Sequence, residues 1–281
     1  ETLGPLQHGR GDRTIQLTHH TAWWATRTPI GPGTIRLEVR DTTLAVEAWG
    51  DGAEWLLDRA PALVGEQDDP GELVSRHPVV RDLQRRHAGL RLPASGRLIH
   101  ALVPSVFEQK VTGTEATRAY AALIRTHGEP APGPGDLLLP PSAARLAGLP
   151  YHAFHPIGIE RRRAGVVRRA AGRASWLEAS NDSSQAAARL TALPGIGPWT
   201  VAEVGRSVYG DPDAVSVGDY HIPNMVAWAL AGEPRADDAR MLELLEPYWG
   251  QRGRVQRLLE VGRVTAPRYG PRMAPRRIAT I

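Results

Sequence analysis

Two stretches of the chain carry residues whose types and spacing could do chemistry. Residues 193–200 read LPGIGPWT, and an acidic residue, Asp219, follows twenty positions after Trp199. A carboxylate in this valine-rich setting can stabilise positive charge that develops on a substrate. The competing interpretation is an N-cap for a helix beginning at about residues 220–222, a common use of aspartate. The two uses are compatible, because the start of a helix favours an ionised carboxylate.

The glycines of LPGIGPWT predict a tight turn between two helices. Pro194 ends the first helix, residues 195–197 form the turn with Ile196 anchored in the core, and Trp199 opens the second helix. The N–H groups at the start of that helix have no intrahelical acceptor, so the turn can bind a phosphate through its backbone. An ordinary turn between two core helices explains these few residues equally well.

The elements that must position these residues fall into two regions. Period-two alternation predicts an antiparallel sheet with helices on one face in an N-terminal domain, residues 1–92. Strands are expected near residues 14–18 and 23–28, and Asp51 is expected to cap a helix through residues 55–57. The alternating apolar positions that define the central hairpin are Ile35, Leu37 and Val39, followed by Leu44, Val46 and Ala48.

Helical periodicity replaces the strand pattern from Leu98 onward and predicts a helical domain over residues 93–281, with a basic C-terminal tail. A Pro/Gly-rich segment, residues 128–141, is expected to be loop. Further helices are expected over residues 142–149, 159–180, 184–193, 199–209, 222–231 and 237–264.

Composition excludes several classes of chemistry. The 281 residues contain no cysteine, which excludes disulfides, cysteine-ligated zinc, iron–sulfur clusters and thiol nucleophiles. The sequence has no apolar run long enough for a membrane span and no apolar signal core at its start, so a cytoplasmic protein is expected. Lys110 is the only lysine, and the arginines that supply the other cations suit polyanionic partners or reflect codon bias.

The hairpin and its spaced acid together resemble the helix-hairpin-helix superfamily of DNA glycosylases. In that family the hairpin grips the DNA backbone and the downstream aspartate, here Asp219, is the catalytic carboxylate. Within the superfamily the chain is most similar to the 3-methyladenine DNA glycosylase II type, in which a tryptophan follows the hairpin and an Asp-Tyr pair, here Asp219 and Tyr220, carries the acid. The resemblance spans about residues 98–264 and assigns DNA contacts to Leu193, Gly195, Ile196, Gly197, Pro198 and Thr200.

The fold implied by this resemblance is α+β. It combines a mainly α-helical helix-hairpin-helix glycosylase bundle with an N-terminal antiparallel β-sheet domain like half of the TATA-binding protein. The implied activity is monofunctional excision of alkylated purines from double-stranded DNA: the base is flipped out, and the carboxylate assists hydrolysis of the N-glycosidic bond. Lyase-competent relatives use a lysine after the hairpin. That position is Trp199 here, so no lysine-based AP lyase activity is expected.

Three residues, Trp199, Glu203 and Tyr220, are expected in the substrate pocket. Trp199 offers a flat face on which a cationic alkylated base can stack, or is a core tryptophan at a helix start. Glu203 stands where the family's type member has an aromatic residue, and another aromatic expected near Val261 is also missing. Glu203 either suits a cationic base or lies on a solvated face, and these departures leave the substrate range open.

A second DNA-facing segment of the family resembles residues 107–112, FEQKVT, where a side chain fills the gap left by the flipped base. Gln109 is the better candidate for that contact. Lys110 can reach a phosphate or the orphan base, or is a surface lysine at a helix end. Phosphate contact, or simply a solvated charged face, is expected for a set of arginines: Arg161, Arg162, Arg163, Arg168, Arg169, Arg272, Arg276 and Arg277.

No cofactor is required for this chemistry. The family's hairpin holds a monovalent cation, Na⁺ or K⁺, through main-chain carbonyls, which the resemblance places at Thr191, Leu193 and Ile196. The expected partner is double-stranded DNA with a damaged base, bound by a monomer at the nucleoid. Two other functions stay open: a non-catalytic helix-hairpin-helix protein that binds DNA structure, and a glycosylase for oxidised or deaminated bases.

Overall fold

A four-stranded antiparallel sheet forms the N-terminal part of the protein, as the alternating pattern predicts. The computed structural model describes residues 1–267, so Arg272, Arg276 and Arg277 lie outside the described residues. The strands lie side by side in chain order. They are β1 (Ile15–Leu17), β2 (Thr21–Thr28), β3 (Gly31–Arg40) and β4 (Thr43–Trp49). Apolar partners Trp24 and Ile35 fix the register of β2 on β3.

Helix α1 (Ala53–Leu63) packs on one face of this sheet and buries Leu56 and Leu63. The prediction that Asp51 caps this helix is wrong, because the N-cap is Gly52 and no side chain caps the helix. A Cβ on Gly52 would lie 2.6 Å from Cγ2 of Thr28. The chain therefore enters α1 with its backbone against β2, which a larger residue at the cap would prevent.

Twelve further helices complete residues 1–267, together with four short 3₁₀ turns. Within this range, none combines the length and the apolar character that a membrane crossing requires. The helices are α2 (Pro78–Arg86), α3 (Leu98–Glu108), α4 (Gly113–His127), α5 (Ala143–Gly148), α6 (Tyr151–Phe154), α7 (Arg161–Ala171), α8 (Ala174–Glu178), α9 (Ser183–Thr191), α10 (Pro198–Tyr209), α11 (Ile222–Ala231), α12 (Asp238–Leu245) and α13 (Arg252–Val261).

Three of the predicted elements differ from the observed ones. The single helix expected over residues 159–180 is two helices, because α7 ends at Ala171 with Gly172 as its C-cap and α8 starts anew at Ala174. The helix expected over 237–264 is divided by a 3₁₀ turn that contains Pro247, and Gly250, with φ of +85°, cannot continue it. The loop over 128–141 contains a pair of two-residue strands, β5 (Glu129–Pro130) and β6 (Leu138–Leu139).

The helices enclose two apolar cores. The larger core takes its buried side chains mainly from α3, α4, α7, α9 and α10. The second is formed by α11, α12 and α13 together with Leu73, Val80, Leu83 and Leu90. Part of the segment that precedes residue 92 thus packs on the C-terminal helices, and the domain division at that residue stays a prediction.

His100 of α3 joins the larger core to the sheet. Its imidazole stacks on the indole of Trp24 with ring centroids 5.6 Å apart, and its Nδ1 lies 2.9 Å from Oγ1 of Thr26. Burial lowers the pKa of His100 to about 3, with smaller contributions from His8 and Arg97. The neutral imidazole is therefore a structural link between the sheet and the helices.

Candidate active site

The predicted hairpin lies between α9, which ends at Thr191, and α10, which begins at Pro198. Gly195 has φ of +94°, and a Cβ at this position would lie 2.5 Å from Cγ2 of Val166. Backbone conformation and space both require glycine here. Leu193 and Ile196 are buried and anchor the turn in the larger core.

The start of α10 presents unpaired backbone donors. Gly197 is the N-cap, and Pro198 has no N–H to offer. Within residues 1–267 the N–H groups of Gly197, Trp199 and Thr200 have no acceptor, and the first paired N–H belongs to Val201, which donates to the Gly197 carbonyl at 3.1 Å. These donors and the positive end of the helix dipole suit an anion such as a phosphate.

Two side chains brace the hairpin from neighbouring helices. Nε2 of Gln109, at the end of α3, donates to the Gly195 carbonyl at 3.1 Å and to Oγ1 of Thr200 at 2.9 Å. Nη2 of Arg169 on α7 donates to the Pro194 carbonyl at 2.9 Å. Gln109 must break both of its hydrogen bonds before it can fill a gap in DNA, a cost that sequence reasoning missed.

Lys110 lies beside Gln109 in the turn between α3 and α4, and it is exposed. Its φ of +55° places it in the left-handed region, which is strained for residues other than glycine, asparagine or aspartate. Lys110 is thus a solvent-exposed residue next in the chain to Gln109, and its contact with a phosphate or an orphan base stays a prediction.

Asp219 is held beside the hairpin by three hydrogen bonds. Its Oδ1 accepts from the backbone N–H of His221 at 2.6 Å and from that of Ile222 at 2.9 Å. Its Oδ2 accepts from Nε1 of Trp199 at 3.0 Å. The carboxylate thus satisfies donors at the start of α11 and is also joined to the first aromatic residue after the hairpin.

Trp199 consequently has a role that sequence reasoning missed. The spacing between Trp199 and Asp219 predicts proximity, but it does not specify a hydrogen bond from the indole to the carboxylate. The indole is partly buried. Its N–H holds the acid in place, while the expected stacking of a base on its face stays a prediction.

Glu203 lies in a network of polar side chains rather than on a solvated face, and 25% of its side chain is exposed. Its Oε1 accepts from Oγ of Ser216 at 2.6 Å and from Nη2 of Arg206. Arg206 also donates to Oε1 of Glu260 at 3.2 Å. Burial raises the pKa of Glu203, and the Arg206 guanidinium opposes this effect. The predicted contact of Glu203 with a base is untested by these bonds.

Tyr220 follows the acid and is 84% exposed, with its ring edge-on to that of His221 at 4.9 Å. Tyr220 is thus open to solvent beside Asp219, and its place in a substrate pocket stays a prediction. The predicted phosphate contact is wrong for Arg163, because this arginine is buried and binds Glu160 and the Phe107 carbonyl. Arg161, Arg162, Arg168 and Arg169 are exposed.

The carbonyl oxygens proposed to hold a monovalent cation accept few hydrogen bonds within the described residues. The Leu193 carbonyl accepts one hydrogen bond, from the Ile196 N–H at 3.2 Å, while those of Thr191 and Ile196 accept none within the described residues. Carbonyl oxygens are suitable ligands for hard cations. Among residues 1–267, no cluster of three histidine, cysteine or acidic side chains could hold a metal. Cation binding by the backbone oxygens of this turn stays a prediction.

The sheet, the helical cores and the hairpin with its acid form a fold that is shared by solved structures of DNA glycosylases. The 3-methyladenine DNA glycosylase from Archaeoglobus fulgidus superposes with a TM-score of 0.74 at 15% identity, over 92% of this chain and 94% of that chain. An 8-oxoguanine glycosylase/lyase from Clostridium acetobutylicum, in complex with double-stranded DNA, superposes with a TM-score of 0.62 at 13% identity, over 87% and 95% of the two chains.

In sequence the chain is 29% identical over 151 residues to a probable bifunctional transcriptional activator/DNA repair enzyme AlkA from Mycobacterium tuberculosis. The match covers 53% of this chain and 30% of that protein, so the chain spans less than a third of the curated relatives it matches. No protein-family model matches the chain. The relative in sequence is a DNA repair enzyme, and the structural neighbours include a 3-methyladenine DNA glycosylase and an 8-oxoguanine glycosylase/lyase, which agrees with the resemblance seen in the sequence.

Proposed function

We propose that the chain is a monofunctional DNA glycosylase that excises alkylated purines from double-stranded DNA and acts as a monomer. The observation that carries the proposal is the 3.0 Å hydrogen bond between Trp199 and Asp219. Through it the acid lies one side chain away from the backbone donors that suit a DNA phosphate. The Archaeoglobus neighbour, a 3-methyladenine DNA glycosylase, supports alkylated purines as the substrate class.

The reaction assigns one task to each part of the site. The hairpin binds the DNA backbone through its N–H groups while the damaged nucleotide is turned out of the stack. Cleavage of the N-glycosidic bond builds positive charge on the sugar, and the Asp219 carboxylate stabilises that charge until water attacks. Trp199 and Tyr220 offer aromatic faces to a cationic base, which is attracted to them more strongly than a neutral base.

The chain lacks the lysine that a lyase reaction would use after the hairpin. Trp199 occupies that position, and the single lysine, Lys110, lies in the turn after α3. An indole cannot form a Schiff base with the sugar. Base release without strand cleavage is therefore the expected outcome.

Release of free bases from methylated duplex DNA, followed by chromatography, tests the proposal. Uracil-containing and 8-oxoguanine-containing duplexes serve as comparison substrates. We expect the wild-type protein to release 3-methyladenine or 7-methylguanine and Asp219→Asn to release none while still binding DNA. Asp237→Asn is the matched control, because Asp237 caps α12 through a bond from the Arg240 N–H at 2.9 Å and lies outside the site.

The other outcomes each identify an alternative. Release of 8-oxoguanine or uracil only would replace alkylated purines as the substrate class. A wild-type protein that binds DNA and releases no base from any duplex would be a structure-binding protein. Retention of full activity in Asp219→Asn would reject Asp219 as the essential acid.

A further inference from the structure

Asp219 ends a tight turn, residues 216–219, which we name the acid turn. The Asp219 N–H donates to the Ser216 carbonyl at 3.2 Å, and Gly218 has φ of +92°. A positive φ at the third position of a four-residue turn is the geometry of a type II turn, which favours glycine there. The backbone of the acid is thus fixed relative to Ser216.

Ser216 is completely buried and has all its polar groups paired. Its N–H donates to Oε1 of Gln256 at 3.0 Å, and its hydroxyl donates to Oε1 of Glu203 at 2.6 Å. The same hydroxyl accepts from Nε2 of Gln256 at 2.8 Å and from Nη2 of Arg206 at 3.1 Å. These partners come from α10 and α13, so Ser216 ties the first residue of the acid turn to two helices.

Asp238, the first residue of α12, holds the acid turn from its other side. The Gly218 N–H donates to both carboxylate oxygens of Asp238, at 3.0 and 3.1 Å. The neighbouring Asp237 does a different job, because its side chain caps α12 itself. A substitution at Asp237 therefore affects the cap of α12, whereas a substitution at Asp238 affects the position of the acid turn.

We propose that Ser216 and Asp238 are positioning residues of the glycosylase reaction, and this inference rests on the function proposed above. Neither residue contacts the acid side chain in the structure; both act through the backbone of the acid turn. A carboxylate that stabilises charge on a sugar must keep its position to within about 0.5 Å. Loss of either hold lets the turn shift and places Asp219 less accurately.

Two measurements on the same variants test this proposal. The first is the single-turnover rate constant for base release at saturating protein on methylated duplex DNA, with the DNA dissociation constant measured separately. The second is hydrogen exchange of the amides of Val217, Gly218 and Asp219 in the protein without DNA. The variants are Asp238→Ala, Asp238→Asn and Ser216→Ala, with Asp237→Ala as the matched control.

We expect Asp238→Ala to lower the rate constant by about tenfold or more, as a small misplacement of a catalytic group does, with an unchanged dissociation constant. Asp238→Asn keeps one acceptor oxygen for the Gly218 N–H and should recover most of the rate. Asp237→Ala loses the cap of α12 and should keep the wild-type rate constant. Exchange of the Gly218 amide should accelerate in Asp238→Ala alone, and that of Asp219 in Ser216→Ala.

Equal rate constants for Asp238→Ala and Asp237→Ala would overturn the proposal for Asp238. Unchanged exchange of the Asp219 amide in Ser216→Ala would overturn it for Ser216, even if that variant is less stable overall. A wild-type protein that releases no base rejects the proposed function instead, and the exchange data then decide separately whether these residues hold the turn.

Discussion

The three donors to Asp219 come from two sources, the start of α11 and the indole of Trp199. At the scale of single residues, this means that Trp199 can serve the reaction in two ways. Its face can bind a base, and its N–H orients the acid. A substitution that keeps an aromatic ring and removes the N–H group separates these two roles.

Trp199→Phe should lower the single-turnover rate of base release by about tenfold or more, because a hydrogen bond to a charged group contributes about 1.5–3 kcal/mol. The aromatic face is retained, so the affinity for damaged DNA should change little. Trp176→Phe is the control, since Trp176 is a surface tryptophan flanked by Arg173 and Arg189. An unchanged rate in Trp199→Phe would assign Trp199 to base stacking alone.

Lys110→Asn tests the phosphate contact considered for Lys110. Asparagine tolerates the left-handed backbone at φ of +55°, so the turn should keep its shape while the charge is lost. If the amine neutralises one phosphate, the slope of log affinity against log salt should fall by about 0.9. The salt dependence of DNA binding by the two proteins measures this change. Identical slopes would place the amine away from the DNA backbone.

At the scale of elements, the hairpin depends on Gly195 far more than on Gly197. Gly195→Ala should destabilise the fold by about 1–3 kcal/mol and weaken DNA binding, because the new Cβ meets Val166 at 2.5 Å and φ is +94°. Urea unfolding and a DNA titration measure both effects. Gly148→Ala is the control, since its Cβ would meet nothing within 4 Å. Wild-type stability in Gly195→Ala would mean that the turn can relax.

Local elements were also the features that the sequence could predict. The alternating strands and the hairpin depend on residues near each other in the chain, so composition and spacing identify them. The sequence did not predict that two of the expected helices are divided. A proline or a glycine inside a helical pattern leaves the apolar spacing of that pattern intact. Gly250, whose φ is positive, lies between the 3₁₀ turn and α13, and spacing alone could not reveal this break.

At the scale of the whole molecule, the link between sheet and helices should respond to pH. The pKa of His100 in the folded protein, about 3, lies below its ordinary value of 6.5. The unfolded chain therefore binds the proton first, and the stability contributed by neutral His100 is complete above pH 6.5 and is lost as the pH falls towards 3.

We expect the free energy of unfolding of the wild-type protein to fall between pH 6.5 and 4 by up to about 1.4 kcal/mol per pH unit more than that of His100→Gln. Urea unfolding at several pH values measures these slopes. His152→Gln is the control, because His152 is exposed. Parallel slopes for wild type and His100→Gln would show that this imidazole does not control the acid sensitivity of the fold.

The long-range contacts of the site could not be predicted from the sequence. Asp219 and the hairpin were identified because a family pattern contains both. The hydrogen bonds that Ser216 donates to Glu203 and Gly218 donates to Asp238 join residues that are 13 and 20 positions apart. Their formation depends on how α10, α12 and α13 pack, which apolar periodicity does not specify. The same limit led sequence reasoning to consider a solvated face for Glu203.

The exposed turn that carries Lys110 also makes the protein simple to label. The chain has one lysine and no cysteine, so an amine-reactive dye has a single side-chain target. That target lies next to Gln109, whose amide touches the hairpin. A fluorophore attached there, or on a cysteine introduced at the same position, would report the arrival of DNA at this face in real time, and no native cysteine competes for a thiol-reactive dye.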